Sequence, residues 1–263
     1  KAIALMDTAT SPMKKGQSSE EWHQIHAKLH TSQTLWNFYL EILHQQQQPD
    51  RICAAYNKAI ALKVCTCETI FNYTAYLESI GQVEESFRIF ERGIDLFGYP
   101  IAYELWNVYL PKIVAFLNGT KLDRLRDLFE QALENCPSEF AVNLSILYGK
   151  VEEDFGLTRN AMKIYDSTAR KADLKDRKKI YLYYIHRASH LYGLDSTREV
   201  FEQAIANIPD VDACELCLMY AEVEEKLVEY ERSRLIFMHG AQLANPATNS
   251  AYWERWKRFE LQH

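Results

Sequence analysis

The sequence predicts an all-α array of antiparallel helix-turn-helix repeats. Three observations carry the prediction: two interlocked rows of aromatic residues, turn residues placed between them in register, and a composition poor in chain breakers. The chain has 263 residues, 48% hydrophobic and 25% charged, with only 9 Gly and 7 Pro. Those values suit a folded chain of long helices joined by short connections.

The rows come first because a fixed period of 20 to 50 residues decides the architecture. Tyr39, Tyr73, Tyr109, Tyr148, Tyr184, Tyr220 and Trp256 follow one another at 34, 36, 39, 36, 36 and 36 residues. Tyr56, Phe90, Phe129, Tyr165, Phe201 and Phe237 follow at 34, 39, 36, 36 and 36. The second row trails the first by 17 residues, or by 20 in the third unit. Both rows therefore absorb one three-residue insertion, near Asn118-Gly119-Thr120.

Each unit reads as helix A, turn, helix B. Helix A is expected near 33–46, 68–80, 102–117, 141–155, 178–192, 213–226 and 250–263. Helix B is expected near 50–63, 83–97, 121–135, 158–171, 195–207 and 230–243. A large residue stands three before the A aromatic at Trp36, Ile70, Trp106, Tyr181 and Trp253, and an apolar one three after at Ile42, Tyr76, Val151, Val223 and Phe259. Steps of three and four put these on one helical face. In helix B the residue three after the aromatic is small: Ala59, Gly93, Ala132, Thr168, Ala204 and Gly240. A small side chain there lets neighbouring helices approach.

The turns agree. Gly81, Gly119, Gly156 and Gly193 stand where helix A should stop. Pro49 precedes the first complete helix B, and Pro100, Pro137, Pro209 and Pro246 follow later ones. Ser18-Ser19-Glu20-Glu21 reads as a capping box opening a helix that carries Trp22. Pro111 lies inside a helix A and predicts a kink there. One array of about seven units is expected over residues 1–263, cut at both ends: residues 1–10 look like the end of a preceding helix B, and Lys1 reads as following a missing start. A single unit cannot bury its apolar face alone, so the units are expected to stack into a long curved rod.

Composition narrows function. Net charge is −6, and the one basic cluster holds Arg170, Lys171, Lys175, Arg177, Lys178 and Lys179. It reads as a solvated helix end, with a local RNA or import-receptor contact as the sharper alternative. No run of about 18 apolar residues exists, so no membrane span is expected. Six cysteines are too few for a disulfide framework and suggest a reducing compartment. Asn72, Asn118 and Asn143 fit the glycosylation triplet, a pattern common by chance.

Candidate chemistry dissolves into packing. Cys214 and Cys217 form a CxxC and Cys65 and Cys67 a CxC, but four repeats separate the pairs, and zinc needs four ligands at one point. His23, His26 and His30 share a helix face without a completing carboxylate. Glu152-Glu153 and Glu224-Glu225 are neighbours on a helix and do not converge as a catalytic acid pair would. The second acid of each pair is expected in solvent. No phosphate loop or nucleophile elbow appears. The 16 tyrosines mostly fill the two rows and read as core. No enzyme, cofactor, metal or small-molecule substrate is expected.

One pattern goes beyond the repeat. Three before the B aromatic stand Cys53, Phe87, Arg126, Met162, Arg198 and Arg234; four after the next A aromatic stand Leu77, Ile113, Glu152, Ala188, Glu224 and Glu260. Every Arg meets a Glu 26 residues on, and no other residue does. The expectation is that Arg126–Glu152, Arg198–Glu224 and Arg234–Glu260 pair across repeat boundaries, since a buried carboxylate needs a partner and Arg offers a planar fork.

The motif Trp253-Glu-Arg-Trp256-Lys-Arg-Phe259-Glu260 resembles the half-a-TPR, or HAT, repeat, as do Arg234-Leu-Ile-Phe237 and Arg126-Asp-Leu-Phe129-Glu130-Gln-Ala132-Leu133. More closely, Glu85 to Phe97, Lys121 to Pro137 and Leu147 to Gly156 resemble the Syf/XPA-binding-protein splicing factor family, in its C-terminal half. Tyr181 and Cys217 depart from the generic repeat, where Trp is usual. The resemblance implies a right-handed superhelical solenoid of HAT/TPR-like repeats. It further implies a nuclear scaffold of the spliceosomal nineteen complex, with other spliceosomal proteins as partners, a crooked-neck-like HAT protein among them. The rival expectation is a TPR-like adaptor outside splicing. Partner contacts are expected among residues between the rows, such as Lys150, Glu153, Glu225, Arg255 and Arg258.

Overall fold

The computed structural model describes residues 2–10, 28–246 and 249–263. Among these the structure is α-helical apart from turns and one 3-10 segment, Leu194–Thr197. The expected capping box at Ser18 to Glu21, together with Trp22, His23 and His26, lies outside the described residues.

The chain divides into two compact units, residues 1–113 and 114–263. Unit 1 holds α1 (Ala2–Thr10), α2 (Gln33–Gln46), α3 (Pro49–Ala61), α4 (Cys67–Ser79), α5 (Val83–Leu96) and most of α6 (Ile101–Leu117). Unit 2 holds α7 (Leu122–Glu134), α8 (Ser138–Phe155), α9 (Thr158–Lys171), α10 (Leu174–Tyr192), α11 (Arg198–Asn207), α12 (Asp210–Lys226), α13 (Tyr230–Leu243) and α14 (Ser250–Gln262). Even-numbered helices from α2 to α14 are the A helices, and odd-numbered ones from α3 to α13 are the B helices.

Local chemistry sets the ends. Pro49 occupies the first turn of α3, where its missing N–H is not needed. Pro137 and Pro209 occupy the positions just before the first turns of α8 and α12. Thr66 and Thr69 form a reciprocal capping box at α4. Pro111 sits within α6, which continues without interruption to Leu117. Its ring is exposed.

Two helix ends depart from simple glycine punctuation. Gly156 has φ −113°, so it is not there for a left-handed turn. A Cβ at Gly156 would stand 2.2 Å from Glu152 Oε2, so glycine leaves room for that carboxylate. Val228 fills the corresponding place after α12 with φ 65°, a costly conformation for a β-branched residue.

The aromatic rows meet in the core. Each B ring faces the A ring of the following helix. Tyr56 stacks on Tyr73 at 4.5 Å and Phe90 on Tyr109 at 5.3 Å in unit 1. Phe129 stacks on Tyr148 at 4.9 Å, Phe201 on Tyr220 at 4.9 Å and Phe237 on Trp256 at 6.2 Å in unit 2. Such pairs add about 0.5–1.5 kcal/mol beyond area burial. Tyr165 and Tyr184 are instead tilted at 47°, with Tyr183 edge-on to Tyr165. Trp36, Tyr39, Tyr56, Tyr73, Phe90, Trp106, Tyr109, Phe129, Tyr165, Phe201, Tyr220 and Phe237 are buried. Tyr148, Tyr184, Trp253 and Trp256 are half-buried, each with an edge at the surface. Close approach uses the small B residues: a Cβ at Gly240 would stand 2.9 Å from Cys217 Cβ.

Candidate interaction surface

A subset of the charged groups of the repeats binds one helix to another. Arg126 donates from Nε to Glu152 Oε1 at 2.5 Å and from Nη2 to Oε2 at 3.0 Å. Arg198 does the same to Glu224, at 2.7 and 2.9 Å. Both are two-pronged bonds that match the planar guanidinium to the carboxylate. Arg234 reaches Glu260 through Nε alone, at 3.0 and 3.2 Å. Glu152 and Glu224 are fully buried, whereas the Glu260 side chain is 39% exposed. An acid three residues before each Arg steadies it: Asp123 at 3.2 Å, Asp195 at 3.4 Å and Glu231 at 2.9 Å. The Arg126 fork holds the Glu152 carboxyl below its ordinary range against the opposing effect of burial; the Leu157 N–H adds a bond at 3.3 Å. Arg234 depresses Glu260 likewise.

A second set of ion pairs joins successive A helices, and the sequence reading did not find it. Lys112 Nζ donates to Glu78 at 2.8 and 3.0 Å. Arg187 donates to Glu153 from Nε at 3.1 Å and from Nη2. Arg255 donates to Glu225 and, at 3.5 Å, to Glu222. In the first two, an acid five after one A aromatic meets a base three after the next. The same columns hold His44 and Tyr76 in unit 1, whose rings meet edge-on at 5.0 Å. Reading those two columns together would have exposed the pattern.

This corrects one expectation. Glu153 and Glu225 do not project into solvent: the Glu153 side chain is 4% exposed and Glu225 21%. Arg255 is also engaged and part-buried. Adjacent carboxylates on α8 therefore serve opposite neighbours, Glu152 toward α7 and Glu153 toward α10. On α12, Glu224 and Glu225 divide the same way between α11 and α14. Lys150 and Arg258 are exposed.

Four of the six tyrosines of the A row also use their hydroxyls. Tyr109 OH donates to Glu91 at 2.8 Å and Tyr220 OH to Glu202 at 3.4 Å, and Asn57 donates to Tyr73 OH at 3.1 Å. Tyr39 OH is bonded to Asp7. Each ring is buried while its hydroxyl finds a polar group at the rim. Burial pushes the Tyr39, Tyr73, Tyr184 and Tyr220 phenols up to about 12. The one Trp of the row, Trp256, follows Met238 in the column that elsewhere holds Asn57, Glu91, Glu130, Asp166 and Glu202.

The basic cluster is broken up. Arg177 donates to the carbonyls of Ala172 and Asn207, and Lys178 to Asp212 and Glu215. Arg170 pairs with Asp166, and Lys179 lies 3.6 Å from Asp176. Arg170, Lys171, Lys175 and Lys179 remain exposed at the corner where α9 gives way to α10. Cys214 and Cys217 are buried, and burial pushes the Cys217 thiol up to about 11. Cys65 is buried and Cys67 half-buried. Among the described residues no group of three or more His, Cys, Asp or Glu is placed to hold a metal, and no helix is long and apolar enough to cross a membrane.

One position of helix A is exposed in every repeat. Two residues after each A aromatic stand Glu41, Ala75, Pro111, Lys150, His186, Glu222 and Arg258, and all seven are exposed. Acid, base, imidazole, methyl and proline ring occupy one structural place.

Comparison with known proteins bears on this arrangement. A family model described as the pre-mRNA-splicing factor Syf1/CRNKL1 C-terminal HAT repeat matches residues 1–263. The pre-mRNA-splicing factor syf1 homolog of Drosophila melanogaster is 39% identical over 264 residues, covering 100% of this chain and 30% of the relative. SYF1 of Mycosarcoma maydis is 42% identical, covering 89% and 22%. Splicing factor cwf3 of Schizosaccharomyces pombe is 39% identical, covering 90% and 30%. The chain thus spans less than a third of each of these relatives. Matched along its whole length, the chain belongs to the Syf1/CRNKL1 C-terminal HAT-repeat family.

Proposed function

We propose that this chain is a protein-binding scaffold segment of a nuclear pre-mRNA splicing assembly of the nineteen-complex type. Its partners are other spliceosomal proteins, a crooked-neck-like HAT protein among them. The observation that carries this reading is the match of residues 1–263 to the Syf1/CRNKL1 splicing-factor family, and the exposed positions from Glu41 to Arg258 supply candidate contacts. A fixed internal frame that varies its chemistry at one outward place is how a repeat protein presents different contacts along its length. Within each unit the ion pairs near these residues join neighbouring helices. The paired acids Glu152-Glu153 and Glu224-Glu225 are engaged in ion pairs, which favours a structural over a catalytic role.

Capture of the tagged full-length protein from nuclear extract, followed by crosslinking, tests the reading. The expected result is recovery of splicing proteins with crosslinks at Lys150. Recovery of motors or chaperones instead would support a TPR-like adaptor and end this assignment. A secondary RNA contact has one observation in its favour, the exposed cations Arg170, Lys171, Lys175 and Lys179 at one corner. Filter binding at low salt is its test, and no retained RNA removes it.

A further inference from the structure

Unit 2 contains two related grooves, two repeats apart. One lies between α7 and α9, floored by Tyr148; the other lies between α11 and α13, floored by Tyr220. Tyr148 and Tyr220, Ile164 and Ile236, and Leu133 and Ile205 each stand 72 residues apart, as do three further lining pairs, so part of each lining corresponds. The first groove has a volume of about 280 Å³ and the second about 680 Å³.

Their chemistry differs at defined places. Lys171 lines the first groove, and Leu243 takes its place in the second. Leu235 lines the second and corresponds to Lys163. Across the B helices this outward position reads Ala54, Arg88, Asp127, Lys163, Glu199 and Leu235, and it is exposed in every one. Only the last is a large apolar residue, and Leu235 is 64% exposed. Repeat packing does not call for it, since the other repeats stack without it. Leaving such a side chain in water forgoes burial that a partner would supply.

The rim carries opposite charges on opposite walls. Glu202 and Asp210 stand on the α11–α12 side, and the Arg232 cation on α13. Leu235 and Leu243 are eight residues apart on α13, roughly 12 Å along its axis. That span accepts two turns of a second helix, with apolar side chains at i, i+4 and i+7.

We propose that this groove docks an amphipathic helix of a partner protein. Its apolar stripe lies on Leu235, Ile236, Leu243 and Ile205. Basic residues on one flank face Glu202 and Asp210, and acidic residues on the other face Arg232. The proposal rests on the scaffold reading and assigns one of its surfaces a partner class.

The test uses a fluorescent synthetic helical peptide with Leu at i, i+4 and i+7, Lys along one flank and Glu along the other. Leu235→Lys places there the residue type of the corresponding repeat position, Lys163, and because Leu235 is exposed the variant should unfold at the same temperature as the parent. Saturable binding to the parent chain is expected, at least ten-fold weaker to the variant, and at least ten-fold weaker for a peptide with its flanks exchanged. Equal binding by parent and variant, or none by the parent, overturns the proposal. Concentration-dependent dimerisation of the parent that Leu235→Lys abolishes overturns it too, because a second copy then fills the groove. Each of these outcomes leaves the scaffold reading standing or falling on the nuclear-extract capture alone.

Discussion

The boundary between α5 and α6 and the boundary between α7 and α8 put opposite chemistry in one structural slot. At the first, Phe87 and Ile113 are 2% and 0% exposed. At the second, the corresponding residues are Arg126 and Glu152, joined at 2.5 and 3.0 Å with the carboxylate fully buried. The repeat therefore fixes the place and not the means of filling it. An apolar pair gains from leaving water. An ion pair loses hydration and recovers it only through good geometry and satisfied lone pairs. Glu152 meets that demand with two bonds from Arg126, one from Leu157 N–H and the space left at Gly156. The ionic boundary is thus all-or-none: intact it holds, and with one member gone it leaves a buried charge.

The largest expected effect follows from that asymmetry. Arg126→Met should destabilise the chain by about 2–3 kcal/mol, below the range for a fully buried pair because the Arg side chain is 28% exposed. Denaturant unfolding checks it. The pH dependence sharpens the contrast. Because Arg126 depresses the Glu152 carboxyl, the pair's contribution is complete above about pH 4.3, the unfolded carboxyl value, and is lost as pH falls through the lower folded one. In the variant the unpaired carboxyl is stabilised by protonation. The gap between parent and variant should therefore close between pH 7 and pH 3.

Exchanging the whole boundary is expected to do much less. Arg126→Phe with Glu152→Ile copies the apolar solution, and stability should stay within about 1 kcal/mol of the parent or rise. A loss as large as that of Arg126→Met would show that the two boundaries are not equivalent slots. The smallest effect belongs to Arg234→Met. Its partner Glu260 is 39% exposed and returns to water, so the unfolding midpoint should hardly move.

The sequence made the internal frame legible because period and spacing report which residues share a helical face. The helix positions, the buried rings and the 26-residue Arg-to-Glu relation all follow from that. It did not reveal how far a long side chain reaches. Glu153 and Glu225 look free when only their own helices are considered, yet Arg187 and Arg255 arrive from the next A helix. Nor does spacing along the chain show that five of the six B rings stack on the following A ring, because that contact joins different helices. Tyr148 and Trp256 show the converse limit: both stack on a B ring, yet both stay half-buried. The candidate surface was half visible. Lys150 and Arg258 occupy the exposed helix A position, but the apolar groove at Leu235 emerges only when corresponding repeats are compared in space.

A double-mutant cycle on Arg126 and Glu152 tests most directly whether the repeat boundary is held by a buried ionic lock. The two single variants should each be markedly less stable than the double, with a coupling energy above about 1.5 kcal/mol. Additive losses, agreeing within about 0.5 kcal/mol, would contradict the lock and leave the two residues as unrelated neighbours.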